Sequence, residues 1–150
     1  MRLNAFTDYS LRTLIYLALQ PEQKATRAQI ASAYGVSDNH LMKVVHFLSK
    51  AGYLATSKGK GGGLMLGRPA SEIRIGQLVR LCEADVPVVE CFTSPASGET
   101  GCRIDGLCRL KHVLFEAQEA LYATLDRYTL ADLVSNKAVL ARQLNLSLPQ

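Results

Sequence analysis

The sequence predicts a mainly α-helical fold with a small β wing. Three short segments in the first fifty residues repeat apolar side chains at helical spacing, a glycine-rich stretch joins two short β-like runs, and a long helical pattern follows a loop containing cysteines. The first helix is expected over residues 7–20, capped by Thr7 and closed by Pro21, with Leu11, Leu14, Ile15 and Ala18 on one stripe. Thr26 caps a second helix ending at Tyr34, where Gly35 can make the sharp turn. Ser37 caps a third, with Leu41, Val44, Val45 and Leu48 at i, i+3, i+4 and i+7 and with Asn39, Lys43, His46 and Lys50 on the opposite face.

Residues 53–57 are expected to form a strand, 58–63 a glycine-rich turn, and 64–66 the returning strand, stopped by Arg68 and Pro69. A fourth helix follows over 75–83, and its apolar stripe of Ile75, Leu78 and Val79 includes Cys82, which marks that thiol as a core residue. Residues 84–106 carry two prolines and no clear periodicity, so they are expected to be a loop. Residues 107–125 form the longest helical pattern, with Leu110, Leu114, Ala117, Leu121 and Leu125 every three or four residues. One compact domain results, divisible into a winged helix-turn-helix region at 1–70, a linker helix with a cysteine-bearing loop at 71–106, and a long helix with a C-terminal segment at 107–150.

Composition bounds the function. With 150 residues there is little room for a separate enzyme domain, and no pairing of catalytic side chains can be assembled. No apolar run is long enough to span a membrane, and Asp8 and Arg12 interrupt the stretch a secretion signal would need, so a cytoplasmic protein with no membrane partner is expected. The net charge of +4 is uneven: residues 1–70 hold nine Lys and Arg against three Asp and Glu, a net +6, whereas 71–150 carry a net −2. The positive half is the candidate for a polyanion.

The segment Ala31-Ser-Ala-Tyr-Gly-Val-Ser37 has a small residue for close helix approach, a glycine for the turn and a serine to cap the next helix, as a helix-turn-helix requires. The second helix of that motif lies in the major groove, where its first residues reach base edges. Double-stranded DNA is therefore the expected partner. Thr26, Arg27, Ser37, Asp38, Asn39, His40, Lys43, His46 and Lys50 are the candidate contacts, joined by Ser57, Lys58, Lys60 and Gly61 at the wing. A plain helical bundle, or a winged helix that binds protein, is the competing reading.

Cys91, Cys102 and Cys108 follow the order C-x10-C-x5-C, a loose spacing suited to an iron-sulfur cluster; a structural zinc site would normally show a CxxC pair. A four-iron cluster needs a fourth ligand. His112, four residues beyond Cys108, and Asp8, supplied across a dimer interface, are both candidates.

The chain resembles the NsrR/IscR family of winged-helix iron-sulfur transcription regulators over nearly its whole length. The resemblance rests on Phe6-Thr-Asp-Tyr9, Gly59-Lys-Gly-Gly-Gly-Leu64, Ile73-Arg-Ile-Gly76, Cys108-Arg-Leu-Lys111 and Tyr128-Thr-Leu-Ala-Asp-Leu-Val134. It implies a homodimer whose long helix packs against its mate and serves for dimerisation. It also implies a cluster, [4Fe-4S] rather than [2Fe-2S], on Cys91, Cys102 and Cys108, with Asp8 of the other subunit as fourth ligand, as in NsrR-like members. IscR-like members use a histidine after the third cysteine, one position earlier than His112. The function implied is a repressor that leaves its operator when nitric oxide attacks the cluster. The alternatives are a regulator of the same build sensing oxygen or iron supply, one acting by bare cysteine oxidation, and an iron-sulfur electron carrier with a winged-helix interaction module.

Overall fold

The computed structural model describes residues 3–20, 22–84, 88–89, 92, 104 and 107–146. In chain order the elements are α1 (Ala5–Leu19), α2 (Arg27–Tyr34), α3 (Asp38–Lys50), β1 (Leu54–Ser57), β2 (Gly63–Leu66), a 3-10 turn (Ala70–Glu72), α4 (Ile75–Cys82), α5 (Arg109–Leu125), α6 (Leu130–Leu133) and α7 (Lys137–Gln143). This is the expected mainly α architecture: α1–α3 with the β hairpin make a winged helix-turn-helix, and α5 is the long helix.

Local chemistry explains the boundaries. Asn4, not Thr7, caps α1: its Oδ1 accepts from the Thr7 amide at 2.7 Å, while the buried Thr7 hydroxyl donates to Glu83, a partner that only the fold supplies. In α2 the Thr26 amide donates to the Gln29 side chain at 2.7 Å, the Thr26 hydroxyl accepts from the Gln29 amide at 3.2 Å, and Gly35 closes the helix at φ +62°. Ser37 stands at the cap position of α3 but makes no side-chain cap bond. In the hairpin Leu54 faces Leu66 and Ser57 faces Gly63 in antiparallel register, and the segment before α2 joins it where Ala25 and Leu64 exchange backbone bonds of 3.1 and 2.8 Å. The expected loop at 84–106 lies almost wholly outside the described residues. Sequence periodicity did not reveal α6 and α7; α6 is one turn, capped by Thr129 and Asp132, too short to show a period.

The core gathers around α1, which packs against α2, α3, α4, α6, α7 and β2. Leu14 and Leu17 of α1, Ile30, Leu41, Val44 and Leu48 of the helix-turn-helix, and Ile73, Leu78, Leu130 and Val134 are all shut off from solvent. Buried polar side chains on α1 are satisfied locally: Ser10 Oγ donates to the Phe6 carbonyl at 2.8 Å and Thr13 Oγ1 to the Tyr9 carbonyl at 2.7 Å. Cys82 is half-buried against the core, and burial pushes its thiol pKa up. Only Tyr122 of α5 is buried, and Leu107 and Leu110 near its start are 88% and 61% exposed.

Two features yield stability predictions. A Cβ on Gly76 would stand 2.5 Å from the Tyr122 carbonyl oxygen and as tightly against the Asp126 side chain, so Gly76→Ala must push α4 from α5. It should cost about 1–3 kcal/mol in urea unfolding. Tyr34 is half-buried, with the Arg12 guanidinium 5.7 Å from its ring centre, and burial pushes its phenol pKa from 10.0 to about 12. The unfolded tyrosine ionises first, so this contribution to stability is complete below pH 10 and is lost as pH rises through about 12. Unfolding measured from pH 9 to about pH 12 should therefore show Tyr34→Phe gaining on the parent above pH 10.

Candidate nucleic-acid interface and sensor residues

The outward face of α3 is set by its amphipathic pattern. Leu41, Val44 and Leu48 point into the core, which leaves Asn39, Lys43, His46 and Lys50 exposed together along the opposite side. Lys58, Lys60 and Gly61 are exposed in the wing turn, where Gly59 and Gly61 take φ of +91° and +80°. Ser57 Oγ closes that turn by accepting from the Gly63 amide at 3.2 Å. Helix and wing are tied together by Arg68, which donates from Nε to the Gly52 carbonyl (3.1 Å) and from Nη2 to the Ala51 carbonyl (3.0 Å), and lies 4.5 Å over the Tyr53 ring. Arg68 thus satisfies carbonyls at the end of α3 while fixing the strand that leaves the wing.

Other expected DNA contacts are engaged within the protein. Arg27, at the start of α2, donates to Asp38 from Nε at 2.6 Å and Nη2 at 2.7 Å, joining the first turns of α2 and α3. This fork holds the Asp38 carboxyl below its ordinary pKa. His40 stacks on Tyr9 of α1 at 6.0 Å, and Phe6 meets Phe47 edge-on at 5.1 Å, so α1 rests on α3 at two aromatic contacts. Between them an apolar crevice of about 90 Å³ is lined by Ala5, Phe6, Tyr9, His40, Lys43 and Val44. Thr26 and Ser37 are exposed at the helix starts.

Of the candidate cluster ligands, Cys91 and Cys102 lie outside the described residues. Cys108 is the half-buried cap residue of α5, and His112 is exposed one turn later. Phe92, next to Cys91, meets Phe115 of α5 edge-on at 6.3 Å. Asp8 lies on the first turn of α1, 45% exposed, with its oxygens held by Arg12 at 2.8 and 2.9 Å. Among the described residues, no three His, Cys, Asp or Glu side chains form a group able to hold a metal ion.

Sequence reading missed three residues. Met42 is half exposed on α3, off the apolar stripe, and a helical wheel could have found it. Arg68 and Glu83 act on backbone and side chains distant in sequence, so no local signal announces them. Among the described residues, no helix is long and apolar enough to cross a membrane.

Comparison with known proteins agrees with this architecture. The pattern of the Rrf2 family, described as an iron-dependent transcriptional regulator, matches residues 3–136. The HTH-type transcriptional regulator NsrR of Bacillus subtilis (strain 168) is 46% identical over 97% of this chain and 99% of its own length. The regulator of the same name from Halalkalibacterium halodurans is 44% identical over 97% of this chain and 99% of its own. Among solved structures, CymR, the global cysteine regulator of B. subtilis, superposes with a TM-score of 0.68 at 26% identity, covering 91% of this chain and 98% of that one. These relatives are regulators of transcription rather than enzymes: the chain belongs to the Rrf2 family and is a DNA-binding transcriptional repressor.

Proposed function

We propose that the chain acts in the cytoplasm as a homodimer whose grip on double-stranded operator DNA depends on an iron-sulfur cluster, of the [4Fe-4S] type, and is released by nitric oxide. The observation that carries this reading is the first turn of α1: it bears Asp8 on its exposed side, while Phe6 and Tyr9 from the same turn rest on α3. One short segment therefore adjoins a candidate ligand and the helix that reads DNA.

The donor chemistry fits such a group. Three thiolates, Cys91, Cys102 and Cys108, suit iron, and the harder Asp8 carboxylate makes a weaker fourth ligand, with the exposed His112 as the competing fourth donor. Dimerisation is supported by the apolar side chains that α5 leaves in water, Leu110, Val113 and Phe115, which run on from Cys108. The cluster, when bound, supplies the iron at which nitric oxide reacts. The protein's own part is mechanical. With Arg12 turned aside, the Asp8 carboxylate reaches outward and ties the first turn of α1 to the sensor loop of the other protomer. When that tie is lost Asp8 returns to Arg12, α1 is no longer held across the dimer, and the two α3 helices leave the separation of roughly 34 Å that successive major grooves require.

Anaerobic purification, iron and sulfide counts, and mobility shifts on a duplex selected by the protein from a random pool test the reading. Iron-loaded protein should bind that duplex tightly and let go after stoichiometric nitric oxide. Asp8→Ala should keep some cluster but lose much of the coupling between cluster and DNA. Equal binding by iron-free and iron-loaded forms would remove the linkage, release only by air or iron chelation would select oxygen or iron as the signal, and an unchanged Asp8→Ala response would remove the tether. Independently, Lys58→Ala should weaken selected and random duplexes by the same factor and flatten the slope of log affinity against log salt by about 0.9.

A further inference from the structure

Among the described residues up to position 80, Met42 is the one large apolar side chain that stands exposed, at 50%. It stands among the exposed polar side chains Asn39, Lys43 and His46 of α3. By helical geometry it lies about 60° around α3 from Asn39 and about 40° from His46, on the outward arc rather than on the seam formed by Leu41, Val44 and Leu48. Beyond it on the same flank is Asp38, whose two oxygens are both taken by Arg27 at 2.6 and 2.7 Å. The flank from Asp38 to His46 therefore offers an apolar thioether and no free carboxylate.

A half-exposed methionine adds little to the core, and on a surface that approaches DNA it has few suitable partners. Phosphates, sugars and most base edges in the major groove are polar; the apolar element there is the C5-methyl group of thymine. An unbranched, polarisable side chain can settle against such a methyl without demanding a fixed rotamer. Asn39, three residues earlier on the same face, can meet adenine at N6 and N7. We propose that Met42 is a specificity-determining residue that reads the C5-methyl group of a thymine in each half of the operator. The inference rests on α3 being the helix that enters the major groove.

The test uses the full-length protein and a duplex it selects from a random-sequence pool. Each thymine is then replaced in turn by deoxyuridine, which removes that methyl and leaves base pairing intact. At one thymine per half-site the parent protein should lose about fourfold in affinity, the value expected for removing one methyl group from an apolar contact. Met42→Ala should bind the original duplex more weakly and be indifferent to deoxyuridine at that position, while Met42→Leu should retain the sensitivity. Because Met42 is exposed, circular dichroism of the variants should match the parent. A parent insensitive to every such replacement, or a Met42→Ala protein equally sensitive at the same thymine, overturns the inference while leaving DNA reading by α3 intact. If no sequence is enriched from the pool, sequence reading by α3 fails and the inference falls with it.

Discussion

The carboxylate of Glu83 at the start of α1 is the contact that sets the arrangement of the other elements. A helix begins with backbone amides that have no partner inside the helix, and at a start packed against other elements, water cannot be relied on to supply them. Glu83 accepts from the Asn4 amide at 3.0 Å, from Asn4 Nδ2 at 3.0 Å and from the buried Thr7 hydroxyl, while Asn4 in turn takes the Thr7 amide. Hydrogen bonds to a charged acceptor are worth about 1.5–3 kcal/mol each, more than most contacts in a domain of this size. The bond joins the last turn of α4 to the first turn of α1 across 79 residues. It thereby fixes the one helix that touches nearly every other element.

Once α1 is held, its period distributes the roles of its first turns. Thr7 and Ser10 face inward and are closed off from solvent; Phe6 and Tyr9 face α3; Asp8 faces out and waits on Arg12. A displacement of the outward side chain cannot leave the other two faces unmoved, because a helical turn moves as a unit. The aromatic contacts to α3, one edge-on and one stacked, flank a small crevice beside the shared core.

Charge follows the same division. The excess of Lys and Arg in the first seventy residues is not all available to DNA, since Arg27 is bound by Asp38, Arg12 by Asp8, and Arg68 by the carbonyls of Ala51 and Gly52. What remains outward among the described residues is Lys24 before α2, Lys43 and Lys50 on α3, and Lys58 and Lys60 on the wing. Arg68 joins the end of α3 to the strand leaving the wing.

Helix starts and stops with local chemistry were legible: the Thr26 and Gln29 capping box, the left-handed Gly35 and the glycine-rich wing all involve neighbours in the chain. So was the amphipathic face of α3, because a period of 3.6 is written in the order of residues. The cap of α1 was misread by three residues, since Asn4 and Thr7 are equally plausible caps until Glu83 arrives from the far end of α4. The single-turn α6 was invisible for want of length. The order of residues alone therefore specifies most of the helical segments, the basic half of the chain and the residue types at hand for metal and for DNA. Folding adds that Arg27 and Arg68 are already engaged, that Phe6 and Tyr9 rest on α3, and that Glu83 closes the start of α1. Such matters turn on contacts between residues far apart in the chain, and no local period records them.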